Sequence, residues 1–339
     1  MKKYLPIFFF FLILNHAYSQ FSNGTNSWTS NTNFTLGSGS YSSGYGAIAF
    51  GYQSTAYGGV GLGYSSYASG TGSAAIGYSN YSSGNGTTSL GYDNTAQSNY
   101  STSIGYSNYV SSANGGVAIG YDNDARAYYA ISMGYSNYVN GYAGVALGYD
   151  HNVSGYYAVA LGRNNSASDY ASTVIGQYNS SGSSATSSSS FSTSAPAFVI
   201  GNGTSSGSLS DAFKVMFNGD ATVSNDLTVS GDVVISSDAR LKSNIVSLGS
   251  TLAKLLQIDG KSYEIKGKQK IGVLAQEIKE VFPELVSEDD NEMLAVNYQG
   301  LVPVLINALK EQDAKMKEQE KKINRLEKIL LKITENYED

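Results

Sequence analysis

Residues 144–152 read GVALGYDHN. Small residues (Gly144, Ala146) alternate with aliphatic ones (Val145, Leu147), and the run ends in glycine, tyrosine and a polar turn. A period of two is a strand whose two faces pack differently. The small face lets another backbone come close, and the aliphatic face calls for a larger partner. The same step recurs with its glycine at Gly51, Gly63, Gly77, Gly91, Gly105, Gly120, Gly134, Gly148, Gly162 and Gly176, at spacings of 12, 14, 14, 14, 15, 14, 14, 14 and 14. Four positions before each glycine the residue is always small, and two before it is small except at Val174. A polar turn such as SN or DN follows the glycine, where Asn and Asp tolerate left-handed backbone, and a second short strand follows the turn. Two short strands and two turns in 14 residues make one coil of a β-solenoid, which buries its face only by stacking.

The turns alternate too. SNY at 79–81, 107–109 and 136–138 is interleaved with DNT, DND and DHN, which predicts duplication of a two-coil unit. Tyrosines at one phase, from Tyr64 to Tyr149, are expected to stack in a column. Structural stacking is favoured over a sugar- or protein-binding stripe. Asp122, Asn123 and Asp124 lack the spacing of calcium-binding repeats and are read as turns.

These repeats resemble the head of YadA-like trimeric autotransporter adhesins, over roughly residues 33–178. The resemblance implies a left-handed parallel β-roll, three rolls side by side, and a head that binds host or surface glycan or protein ligands. The abundance of tyrosine departs from that family, so no ligand carries over.

Character changes at SSDARLKSNI, residues 236–245. Residues 20–235 hold three basic and nine acidic side chains, whereas 236–339 hold sixteen and eighteen. Between the repeats and this point, 179–197 reads as a serine-rich linker and 198–235 as a β-rich connector of short strands with NG and SG turns. Beyond it come a short amphipathic helix (248–258), a strand (261–266), a strand passing into a helix that Pro283 ends (271–282), another strand (293–298) and a long helix. In that helix Leu309, Gln312, Met316, Gln319, Ile323, Leu326, Leu330 and Ile333 follow a 3,4 spacing with charged flanks, a coiled-coil seam. The seam alone does not fix strand number, and a trimer is allowed.

SDARLKSNI, GVLAQEIKEVFPELV, LAVNYQGLVPVLINALKEQ and the terminal seam together resemble the endosialidase-type intramolecular chaperone found at the end of phage tailspikes and tail fibres. The resemblance implies a homotrimeric folding clamp that then cuts itself off. It implies Ser237 as nucleophile, Lys242 as general base, and the Ser236–Ser237 bond as the one cut, in a single-turnover serine endopeptidase. A serine needs a base, and lysine serves when its pKa is lowered by burial. Five residues along a helix or strand put the two side chains on different faces. The pair therefore needs a sharp bend or a packed neighbouring chain, and the expectation is a dyad formed only in the assembled trimer.

The start of the chain reads as a secretory signal peptide over 1–19, with Lys2 and Lys3, an apolar run at 5–14, and cleavage after Ser19. A secreted or cell-surface protein without a transmembrane segment is expected. There is no cysteine, and the two histidines, His16 and His151, argue against a histidine-built metal or triad site. Neither metal nor cofactor is expected, and without a basic stripe neither is nucleic acid. The expected order is signal 1–19, N-terminal segment 20–45, β-roll 46–178, linker 179–197, connector 198–235, a small α+β chaperone and peptidase domain 236–308, and coiled coil 309–335. Two functional readings follow: an adhesin-like fibre folded by a self-releasing chaperone, and a structural surface or appendage protein whose clamp stays attached. A polysaccharide-degrading tailspike is disfavoured, because no acidic pair stands out in a head that has no glutamate.

Overall fold

The structure, a computed structural model, describes residues 33–335 apart from 113, 290 and 291. The expected signal peptide and residues 20–32 lie outside the described residues. Two compact units divide the chain, one ending at Gly231 and the other beginning at Asp232.

The first unit is a parallel β-solenoid. From Val60 to Gln177 the coils give five-residue strands such as Val145–Tyr149 to one sheet, and as far as Ala167 two-residue strands such as Asn152–Val153 to a second. The sheets hold 14 and 10 strands. Successive coils pair in register, Gly134 on Gly148 and Tyr135 on Tyr149. The roll begins before residue 46, because Phe34–Leu36 pairs with Ile48–Tyr52 and Tyr41–Ser43 with Thr55–Tyr57. As the alternation requires, the small side chains point inward: Ala118, Ala146 and Ala160 are fully buried. Inner serines bond across the coil, Ser103 Oγ donating to the Asn108 carbonyl at 2.9 Å and Ser132 Oγ to that of Asn137 at 3.0 Å. The repeat glycines are required twice over. Gly105 sits at φ +122°, and a Cβ there would lie 2.1 Å from the Gly120 carbonyl oxygen.

The turn after the glycine differs from expectation. Left-handed backbone falls on its first residue, serine as often as aspartate (Ser79 φ 52°, Asp93 55°, Ser107 51°, Asp122 54°). The asparagine that follows is buried inside the corner instead. Asn108 Nδ2 donates to the carbonyls of Ile104 (2.9 Å) and Gly120 (2.7 Å) and to Asn94 Oδ1 (2.9 Å), and the Asn123 amide does the same one coil on. An asparagine suits this place because its amide offers donors and an acceptor on one short side chain. The column satisfies glycine carbonyls that the strand ladder leaves over. His151 takes one rung: its Nδ1 accepts from the Asn165 backbone N–H at 3.1 Å and its Nε2 faces the Leu147 carbonyl at 3.3 Å. Burial pushes this imidazole's pKa down, against the pull of its carbonyl partners and of Asp150.

The serine-rich stretch 179–197, expected as a linker, lies along the last coils. Asp169 Oδ1 accepts from the backbone N–H groups of Thr186 (2.6 Å) and Ser187 (2.8 Å), and the Asp211 carboxylate accepts from those of Ser180 and Ser181 (both 2.9 Å). These two carboxylates hold a sequence that has little apolar surface of its own. After the excursion, Pro196–Asn202 rejoins the large sheet in parallel, with Gly176 on Gly201, and Asp211–Met216 and Ala221–Val223 extend it antiparallel. The expected short strands beyond 224 do not form. Leu227, Val233 and Val234 stand 71, 63 and 88 % exposed.

The second unit holds helices α1 (Leu252–Leu255), α2 (Ala275–Val281) and α3 (Leu301–Glu335), a hairpin of Lys261–Ile265 with Lys268–Gly272, and a strand pair of Val286–Glu288 with Leu294–Val296. The expected helix at 248–258 shrinks to α1, since Gly249 takes φ +67° ahead of it. Glu311 on α3 caps α1, accepting from Ser250 Oγ at 2.6 Å and from the Thr251 and Leu252 N–H groups. Ile278, Phe282 and Val304 form a small core. Much apolar surface is left outside it: Val246 is 84 % and Ile271 85 % exposed. The seam of α3 is likewise open, with Leu309, Leu326 and Leu330 about two-thirds exposed. Among the described residues no helix is long and apolar enough to cross a membrane.

Candidate active site

Ser237 and Lys242 flank a single 3₁₀ turn, Ala239–Leu241. The turn closes with Leu241 N donating to the Asp238 carbonyl and Lys242 N to that of Ala239, both at 3.1 Å. It reverses the chain enough to bring the two side chains together, and Lys242 Nζ stands 2.7 Å from Ser237 Oγ. The same Nζ donates to the Ser237 carbonyl at 3.2 Å. The expectation that the dyad forms only between assembled chains is therefore corrected. A tight turn supplies the bend that neither helix nor strand can.

Asp238 caps the turn. Its Oδ1 accepts from the Arg240 N–H at 2.8 Å, and the Arg240 guanidinium closes on the carboxylate with Nη2 at 2.6 Å from Oδ2 and Nε at 3.0 and 3.1 Å from the two oxygens. Arg240 holds the Asp238 carboxyl below its usual pKa, and Asp238 raises that of the guanidinium. In the ammonium form Lys242 donates to Ser237 Oγ. As the neutral amine it would accept the hydroxyl proton across the same contact, which is what a general base must do. Ser236, Ser237 and Lys242 are all exposed in the single chain.

The head presents a different kind of surface. Tyr64, Tyr78, Tyr92, Tyr106, Tyr121, Tyr135 and Tyr149 stack face to face, with centroids 4.7–4.9 Å apart and planes within 6°. Tyr52 extends the stack at 5.0 Å, and Arg163 ends it over the Tyr149 ring at 5.6 Å. Ring faces are spent on each other, so the column shows edges rather than the open faces on which a sugar stacks. At the Asp122–Asp124 turn, Asn123 belongs to the internal column, and Asp124 pairs with Arg126 at 2.7 Å. The sequence reading missed the asparagine column, although asparagine recurs three residues after the glycine at 80, 94, 108, 123, 137, 165 and 179.

Comparison with protein families agrees with this division. The YadA head domain repeat (2 copies) matches residues 36–54, 42–59, 54–80, 82–108 and 154–179, and a two-copy repeat fits the two-coil alternation of the turns. The chaperone of endosialidase family matches residues 237–287, a segment that opens on Ser237 itself. No curated protein matches the chain. The chain thus joins a segment similar to YadA head repeats to a C-terminal segment similar to the chaperone of endosialidase.

Proposed function

We propose that three copies of this chain assemble into an exported fibre, gathered by the C-terminal unit, and that Ser237 then cuts the Ser236–Ser237 bond. The observation that carries the reading is the 2.7 Å contact between Lys242 Nζ and Ser237 Oγ. Lys242, as neutral amine, takes the hydroxyl proton while Oγ attacks the Ser236 carbonyl carbon. The C–N bond breaks, and the ammonium returns the proton to the leaving amine of Ser237. The resulting ester between the Ser236 carbonyl and Ser237 Oγ is hydrolysed by water, which frees the head and leaves a C-terminal fragment that begins at Ser237. Assembly enters through burial. A lysine works as a base once desolvation lowers its pKa, and the exposed apolar residues around the dyad (Leu241 at 72 %, Ile245 at 68 %) are what neighbouring copies would cover.

Homotrimer formation is supported by the open seam of α3 and by the unpaired apolar stretch at 227–235. A host or surface ligand, glycan or protein, belongs to this reading through the likeness of the head to the YadA repeats, while its identity does not carry over to a head so rich in tyrosine. Full-length protein, purified and run under denaturing conditions, should yield a C-terminal fragment whose N-terminal sequence begins SDAR, and Ser237→Ala should remain intact. An assembled wild-type chain that stays whole would leave the C-terminal unit as a permanent clamp.

A further inference from the structure

We infer that Asp238 and Arg240 form a clasp that sets both the geometry and the local charge of the Ser237–Lys242 pair, acting as positioning residues for the reaction proposed above. The inference rests on that reading. The 3₁₀ turn between the two dyad residues has three residues, none of them buried. A turn this short has little stability of its own, since 3₁₀ hydrogen bonds are poorly aligned. What fixes it is local: the Asp238 cap on the Arg240 N–H at 2.8 Å, and three further contacts from the guanidinium to the same carboxylate at 2.6–3.1 Å. An exposed ion pair is worth little to global stability. Its value here is that both partners lie between nucleophile and base, so that the carboxylate holding the turn is also the one the guanidinium neutralises.

The charge argument has a sign. Asp238 alone would stand next to the dyad as an uncompensated anion and favour the ammonium form of Lys242. Arg240 alone would be an uncompensated cation and favour the amine. Paired, they nearly cancel. Because the base works as the amine, loss of one or the other half of the clasp should displace the pH profile of cleavage in opposite directions.

The test follows cleavage of the full chain made by cell-free translation, with the assembled fraction isolated by size and chased in buffers from neutral to alkaline pH. Appearance of the fragment beginning at Ser237 is read by intact mass. Asp238→Asn keeps a cap acceptor and loses the ion pair; it should slow cleavage and move the pH at half-maximal rate downward. Arg240→Gln should also slow cleavage but move the midpoint to higher pH. Asp238→Ala, which loses the cap as well, should be at least about fivefold slower than Asp238→Asn. Arg240→Lys should restore the wild-type midpoint with only part of the rate, since lysine carries the charge but not the fork. Assembled variants that cleave with the wild-type rate and midpoint overturn the clasp, and so do midpoints that move in the same direction. An assembled wild type that never cleaves overturns the self-cleavage reading itself, so the two failures are distinguishable.

Discussion

In the solenoid, nearly every inward group of one chain meets a partner from the same chain one coil away. Ala118, Asn123 and Ser132 are sealed without any second molecule. In the C-terminal unit the proportions reverse. A core built around Ile278, Phe282 and Val304 sits among apolar residues such as Val234 and Ile271 that are more than four-fifths exposed. Repetition gives each coil its neighbours for a loop closure of 14 residues, so the head completes itself locally. The other unit has no repeat to lean on and leaves its largest apolar seam, on α3, without cover in a single chain. The lesson concerns where specificity lives: the head settles its register within one chain, whereas the C-terminal unit leaves the apolar seam of α3 open.

The contrast is broken most directly by removing the seam. A chain ended at Ala308 should lose its oligomer altogether while the β-signal of the head persists, checked by light scattering and circular dichroism together. A trimer surviving that truncation would return the counting role to the head. Next in size is Gly105→Ala, which puts a methyl against the Gly120 carbonyl in left-handed backbone. We expect a loss of roughly 3–5 kcal/mol in the unfolding of the head, with the C-terminal transition unmoved, measured by denaturant titration.

A smaller effect separates the two units by pH. The His151 imidazole is depressed in the folded head, so between its ordinary value of 6.5 and its folded value the unfolded chain binds the extra proton. Its contribution is therefore complete above pH 6.5 and is lost as pH falls, with a slope of at most about 1.4 kcal/mol per pH unit. Protonation would also place a donor on Nδ1 against the Asn165 N–H. His151→Asn should flatten this slope, as seen in thermal melts from neutral to mildly acidic buffer. The smallest change expected is for Tyr106→Ala, which interrupts the ring column at a cost of about 1 kcal/mol, read in the same melts.

How much of this the sequence discloses depends on how local the cause is. Alternation and phase make the solenoid, its inward face and its tyrosine stack readable, because strand geometry converts a period of two directly into faces. The asparagine column was open to the same phase argument, but its residue type points to turns by habit, and only burial reveals that Asn108 works inward. The serine-rich stretch misleads for the opposite reason. Composition describes what 179–197 lacks, and not the Asp169 and Asp211 carboxylates that come from elsewhere to hold it. At the dyad, residue identity came from family likeness, and the meeting of Ser237 with Lys242 depends on a three-residue turn that no periodicity announces.

One corner of the coil carries a further consequence. The short coil between Gly51 and Gly63, the long one between Gly105 and Gly120, and the excursion between Gly176 and Gly201 all keep their strands in register. In the short and the long coil the difference in length falls in the connection that follows the second strand, and in the excursion it takes the place of the second strand and that connection together. That corner works as an open port in an otherwise fixed ruler: sequence of foreign origin could be spliced there, between Ala125 and Ile131 for example, and be displayed on the fibre at a height chosen in steps of one coil, about 4.8 Å.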